Sequence, residues 1–356
     1  MAQNSPRNIE VNWKTDISIH NVPLEEFNTL VIRDGIPPID TPRFWGKEKS
    51  MQAFFEHEPV IAMEINNEAK AYPLSVLMYH EIANDLVGGV PVSVTYCPLC
   101  NAAIVFDRRL DFKGYQYLLD FGVSGMLRKS DLVMWDRQTE SWWQQFTGEA
   151  LVGELTGAKL DLVSSMLISL KDFFENYPNG KVLSTETGHF RKYGTNPYTG
   201  YDDPGNKKPR LFDETVDERL PSMERVIYVQ IEGQYKIYPY SAIQKKHVIN
   251  DVFNDETIVL FFVSKTVSVL DEANIAESKK IGSVTVFSPL MDGKKLSFQK
   301  SGNYFMDEKT GSTWSITGKC LKGAYKGREL RPITHGNHFA FSWFAFHTDC
   351  EIYKID

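Results

Sequence analysis

The sequence predicts an α+β fold, mainly antiparallel strands with short helices, arranged as two tandem pseudo-repeats in one compact body. Three observations carry this reading. Short alternating runs rich in β-branched and aromatic residues are bounded by turn residues. These runs are not separated by regular crossover helices, which argues against a parallel α/β sheet. A set of markers also recurs in order after roughly 170 residues, a period far above that of solenoid repeats.

The recurrence is visible by eye. "PVIAMEINNEAKAYPLSVLMYHEIAND" from Pro59 is echoed by "RVIYVQIEGQYKIYPYSAIQKKHVIND" from Arg225, with Tyr72-Pro73 on Tyr238-Pro239 and Asn84-Asp85 on Asn250-Asp251. Farther on, Asp136, Thr139, Ser141, Trp143 and Gly148 fall on Asp307, Thr310, Ser312, Trp314 and Gly318. The chain then divides into an N-terminal extension (1–56), a first repeat (57–180), a connector rich in Gly, Pro, Asp and Lys (181–220), and a second repeat (221–356).

Each half opens on a hairpin pattern. In "IAMEINNEAKAYPL" alternation flanks Asn66-Asn67, a turn pair. "LSVLMYHEIAND" has apolar residues near helical spacing and predicts a short helix. Strands and a tryptophan-bearing segment follow, then a second predicted helix over "SMLISLKDFFENY".

Composition narrows the function. With 356 residues, 42% of them hydrophobic, the chain can bury a sizeable core. The formal charge of −7 is spread without a basic block, so no nucleic-acid surface is indicated. The longest apolar runs, such as "TIVLFFV" from Thr257, are far below the roughly 20 residues of a membrane span and read as strands. "MAQNSPRNIEVNW" lacks the charged start and apolar stretch of a signal peptide, which is compatible with a cytoplasmic protein or a mature exported one.

Cys97 and Cys100 stand in "VSVTYCPLCNAAIVFD", straight after a strand-like run. Alignment of the halves puts Val263 and Thr266 at their positions, so the fold does not require thiols there. Two residues between sulfurs suit half of a zinc or thiolate-rich copper site. The same spacing suits a reversible disulfide. Cys320 and Cys350 stand alone and read as core, with Cys320 at the position of Ala150.

A metal at this pair needs further ligands. His335 and His338, in "THGNHFAFSWFAFH", form the tight histidine pair of the chain and are the candidates to complete the site from the second half. Residues expected to support the ligands are His80, Asp107, Asp136 and Arg137. For His80 a structural hydrogen bond is favoured over catalysis, and "DRQTESWW" around Asp136 and Arg137 reads first as a capped turn with a packed indole. "GVSGML" lacks the order of a dinucleotide loop. No GxSxG, HExxH or Walker motif is present.

The blocks "DGIPPIDTPRF", "AYPLSVLMYHEIAND", "VTYCPLCNAAIVFDR", "FGVSGMLRKSDLVMWDRQTESWWQQFTGEAL" and "HGNHFAFSWFAFHTDCEIY" resemble a bacterial and archaeal family catalogued as a domain of unknown function. Its hallmarks are a TYCPLC segment and a following Leu-Val-Met-x-Asp-Arg-x-Thr block. The resemblance implies a secreted or lipid-anchored protein of the cell envelope, and carries no reaction with it. The family usually has glycine after the second cysteine, where Asn101 stands here.

The expectation is therefore an exported protein that binds copper or zinc through Cys97, Cys100 and one or both of His335 and His338, possible metalloenzyme chemistry included. The alternatives are a thiol-disulfide protein using the same cysteines and a non-catalytic cell-envelope ligand-binding module whose aromatic residues line a sugar or protein surface. The expected partner is a metal ion or small molecule, with no nucleic acid and no membrane span.

Overall fold

A computed structural model describes residues 12–355. Strands hold 42% of the residues and helices 11%, and nearly every ladder is antiparallel, so the class is α+β bordering on mainly β. The first hairpin joins Pro59–Ile65 to Glu68–Pro73. Asn66 and Asn67 take φ of 48° and 66°, the left-handed pair that a two-residue turn needs if its twist is to match the strands. Met166–Ser169 extends this sheet on one side and Lys181–Leu183 on the other, the latter in parallel.

Both predicted helices are shorter than their apolar spacing implied. The first spans Leu74–Leu77 only, and Ile82–Val87 is a strand paired with Val90–Cys97. Glu81, at φ 59°, turns the chain between them. Pairing with Val90–Cys97 satisfies the backbone groups of Ile82–Val87 that face that strand, and this tertiary gain overrides weak helical spacing. Likewise Met166–Ser169 is strand, and the helix Leu170–Asn176 starts where the Ser169 hydroxyl accepts from Asp172 N at 3.1 Å.

Two antiparallel sheets hold the region of interest. Ile82–Val87, Val90–Cys97 and Ala102–Asp107 form one. Phe27–Thr29, Phe121–Arg128, Asp131–Asp136, Trp142–Gln144 and Glu149–Val152 follow in that order in the other.

The positions aligned between the halves have matching surroundings. Tyr72 donates to Asp85 at 2.6 Å, and Tyr238 donates to Asp251 at 2.8 Å. The Trp143 indole donates to Asp136 at 2.8 Å and the Trp314 indole to Asp307 at 3.0 Å, with Thr139 and Thr310 donating to the same carboxylates. Trp143 is paired with Ala150, and Trp314 with Cys320. The strands Val90–Cys97 and Glu256–Val263 both end at the aligned residue. One apolar core takes in Val60, Tyr96 and Trp143 together with Val226, Phe261 and Trp314. Among the described residues no helix is long and apolar enough to cross a membrane.

Candidate metal centre

Seven of the eight residues of Val90–Cys97 are buried, and the last of them is paired with Ala102. Pro98, Leu99, Cys100 and Asn101 close the connection to the next strand. Asn101 completes it at φ 51°, a conformation that glycine takes freely and asparagine tolerates. Cys97 is 2% exposed and Cys100 fully buried, and both are free thiols. The Cys97 thiol donates to Ser130 O at 3.8 Å. The Cys100 carbonyl accepts from Phe339 N at 3.0 Å and from the Ser342 hydroxyl at 3.2 Å, which fixes the turn against the C-terminal part of the chain.

The third group comes from the neighbouring sheet. Lys129 and Ser130, at φ 53° and 67°, form a tight turn that delivers Asp131 at the start of its strand. Its carboxylate is fully buried. Oδ2 accepts from Gln144 Nε2 at 2.6 Å and from Phe146 N at 2.9 Å, and the Cys97 and Cys100 thiols also hydrogen-bond this carboxyl. One ligand atom each from Cys97, Cys100 and Asp131 lies within 4.8 Å of the others. Burial pushes the Asp131 carboxyl up to about 7, against the pull of its hydrogen bonds. Burial also raises both thiols, Cys100 the more strongly, so all three hold their protons more tightly than in water. This buried Cys-Cys-Asp group can bind a metal ion.

His335 and His338 are not in that group. His335 and His338 belong to a strand, His335–Phe339, and not to a turn. Residues three apart on a strand face opposite sides, so the two imidazoles diverge. His335 Nδ1 donates to Ile333 O at 2.7 Å, and its Nε2 has no partner among the described residues. His338 is fully buried with both ring nitrogens unpartnered among the described residues, and burial holds its pKa well below the usual range. Its ring lies tilted at 41°, centroid 4.3 Å from that of Phe146, the residue whose N–H holds Asp131. The two segments therefore meet through backbone and aromatic contacts, while a carboxylate stands third beside the thiols.

The remaining predicted residues lie elsewhere. His80 bridges Pro37 O and the Tyr193 hydroxyl, each at 2.7 Å, and burial lowers its pKa to about 4, a neutral structural tie. Asp107 pairs with Arg109 five residues along the strand from Ala102, about 17 Å at roughly 3.4 Å per residue. Asp136 stands just as far from Asp131, and Arg137 pairs with Asp40.

A cavity of about 510 Å³ opens beside the thiols. Cys97 lines it, and so do Glu81, Tyr198 and Arg210. The segment read as a connector thus covers the cysteine turn. Tyr201 donates to Leu99 O at 3.0 Å, and Arg210 O accepts from Ser130 at 2.6 Å. Asp131 and Glu81 were not singled out from the sequence. The available signal was a charged residue opening the otherwise buried run "DLVMWD".

Neither a curated protein nor a solved structure matches the chain. A family does, over residues 33–350, which is most of the chain. With that match the protein belongs to the family described as Protein of unknown function (DUF3179).

Proposed function

We propose that this protein binds one thiophilic transition metal, copper or zinc, through Cys97, Cys100 and Asp131, with a further coordination position directed at the cavity. The convergence of both sulfurs and a carboxylate oxygen of Asp131 within 4.8 Å of one another, all buried, carries this reading. The thiols hydrogen-bond this carboxyl, and a cation would replace the protons that the three groups now share. Two thiolates suit Cu(I) or Zn(II), whereas the carboxylate favours zinc. Three protein ligands and one open position is the pattern of zinc sites that act on a bound molecule. His338 backs the site through Phe146 in this reading.

Thiol-disulfide exchange is the second reading, supported by the cavity meeting Cys97 and not Cys100. It would need a reactive thiolate, yet burial raises both thiols and the residues after Cys100 form a strand, not a helix N-terminus. The missing helix N-terminus favours the metal, because a bound cation itself lowers the thiol pKa where no helix end does.

The matched surroundings of Tyr72 and Tyr238, and of Trp143 and Trp314, support two tandem pseudo-repeats at 57–180 and 221–356, of which the first alone carries the ligands. The family resemblance supports a periplasmic or secreted location. Elemental analysis of protein purified without an affinity tag tests the function. About one equivalent of zinc or copper is expected, lost in Cys97→Ser/Cys100→Ser and reduced in Asp131→Asn. Metal-free protein that cycles between dithiol and disulfide would replace this reading with the second.

A further inference from the structure

The cavity beside Cys97 has walls of one chemical kind. Ile36, Val123, Met126, Leu127 and Leu132 are aliphatic, and the volume of about 510 Å³ falls in the roughly 300–1,000 Å³ range of small-molecule sites. Its polar groups are few, and three of them lack partners. The Glu81 carboxyl is 7% exposed, lines the cavity and makes no hydrogen bond or ion pair among the described residues. The Tyr198 hydroxyl makes no hydrogen bond among them. Arg210 is exposed, lies 5.9 Å from the Tyr198 ring and 5.6 Å from the Tyr201 ring, and has no acidic partner among the described residues.

The backbone adds an independent observation. Glu81 and Leu211, both lining residues, hold φ of 59° and 57°. For a branched side chain such as leucine this left-handed conformation is an outlier that costs on the order of 1–3 kcal/mol. The Ser130 hydroxyl, bonded to Arg210 O at 2.6 Å, helps to hold this segment over the cysteine turn.

We infer that this cavity binds a small aliphatic or aromatic carboxylate, its acid group held at the mouth by Arg210 and Tyr198 and its apolar body along the aliphatic walls. Glu81 takes a polar group of the ligand deeper inside. A guanidinium matches a carboxylate with two parallel N–H donors, and the neighbouring phenol supplies a third. A cationic ligand is disfavoured at a mouth that carries an unpaired arginine. The inference goes beyond metal binding and does not rest on it, since the cavity walls are complete without an ion.

Isothermal titration with octanoate and 3-phenylpropionate, each beside its uncharged amide, tests this on the intact protein. Both acids are expected to bind at one site and to outbind their amides. Arg210→Gln should weaken the acids by about tenfold or more and leave the amides unchanged. Leu127→Trp, which fills the cavity, should abolish acid binding, with thermal melting of that variant checking its fold. Absence of saturable binding by either acid, or equal binding of acid by wild type and Arg210→Gln, would overturn the inference. Metal content measured on the same samples keeps the two claims apart: a metal-free protein that binds octanoate sustains this one alone, and a metal-loaded protein that does not sustains only the other.

Discussion

A carboxylate oxygen of Asp131 lies within 4.8 Å of the Cys97 sulfur, although the two residues belong to different sheets and both are buried. The turn at Lys129 and Ser130 sets this approach on one side, and the end of the Val90–Cys97 strand sets it on the other. The juxtaposition concentrates three protons that a metal would displace.

Metal uptake should therefore release protons and strengthen with pH. The thiols are raised by burial and Asp131 to about 7, so each must lose its proton to become a ligand. Calorimetric titration of metal-free protein in two buffers of different ionisation enthalpy should show release of about two protons or more per metal near pH 7. Affinity should rise between pH 6 and pH 8. Binding that is independent of pH would contradict deprotonated thiols as ligands.

Removal of the buried imidazole separates two ligand sets. His338→Phe keeps an aromatic ring between Phe146 and Trp343 and deletes both unpartnered nitrogens. With Cys97, Cys100 and Asp131 as ligands, metal stoichiometry should persist, and the loss of two unsatisfied buried nitrogens should leave stability unchanged or raise it by about 1 kcal/mol. Loss of the metal with the fold intact would make His338 a ligand after all.

A third expectation concerns stability and pH, away from the thiols. Glu58 is 1% exposed, accepts from Ser75 N at 3.1 Å, and has its carboxyl pushed up to about 7 by burial. Its folded pKa exceeds the unfolded value near 4.5, so the folded state keeps a proton that the unfolded state gives up. Its contribution is fully present below pH 4.5 and is lost as pH rises through 7, on the order of 3 kcal/mol in total. Asp131 and Glu81, raised to about 7 and about 8, act with the same sign in metal-free protein. Chemical denaturation from pH 4.5 to pH 8 should show a decline that is shallower in Glu58→Gln. Equal slopes would remove Glu58 as a source.

The two tryptophan turns offer a comparison between the halves. Trp143→Phe and Trp314→Phe each delete an indole N–H that satisfies a buried aspartate, at a cost of about 1–3 kcal/mol. If the halves are pseudo-repeats, the two variants should lose similar amounts, and the double variant should approach their sum. A loss confined to one of the two would argue against equivalence.

The sequence disclosed the hairpin around Asn66 and Asn67 and the strand ending at Cys97, because period-two alternation and turn residues are local signals. It overstated the helix after Pro73, because spacing over a few residues cannot reveal that Ile82–Val87 has a strand partner. The thiol pair was legible as Cys-x-x-Cys. Asp131 was not, since it reaches the thiols only through the packing of two sheets. The His335 and His338 pair, tight in sequence, lies on a strand, where residues three apart face opposite sides.

The most direct measurement is X-ray absorption spectroscopy at the zinc and copper edges on untagged, metal-reconstituted protein. The account predicts two sulfur scatterers, at about 2.3 Å for zinc, and oxygen scatterers near 2.0–2.2 Å, with the sulfur shell lost in Cys97→Ser/Cys100→Ser. A shell of nitrogen and oxygen alone, or a sulfur shell unchanged in that variant, would contradict it.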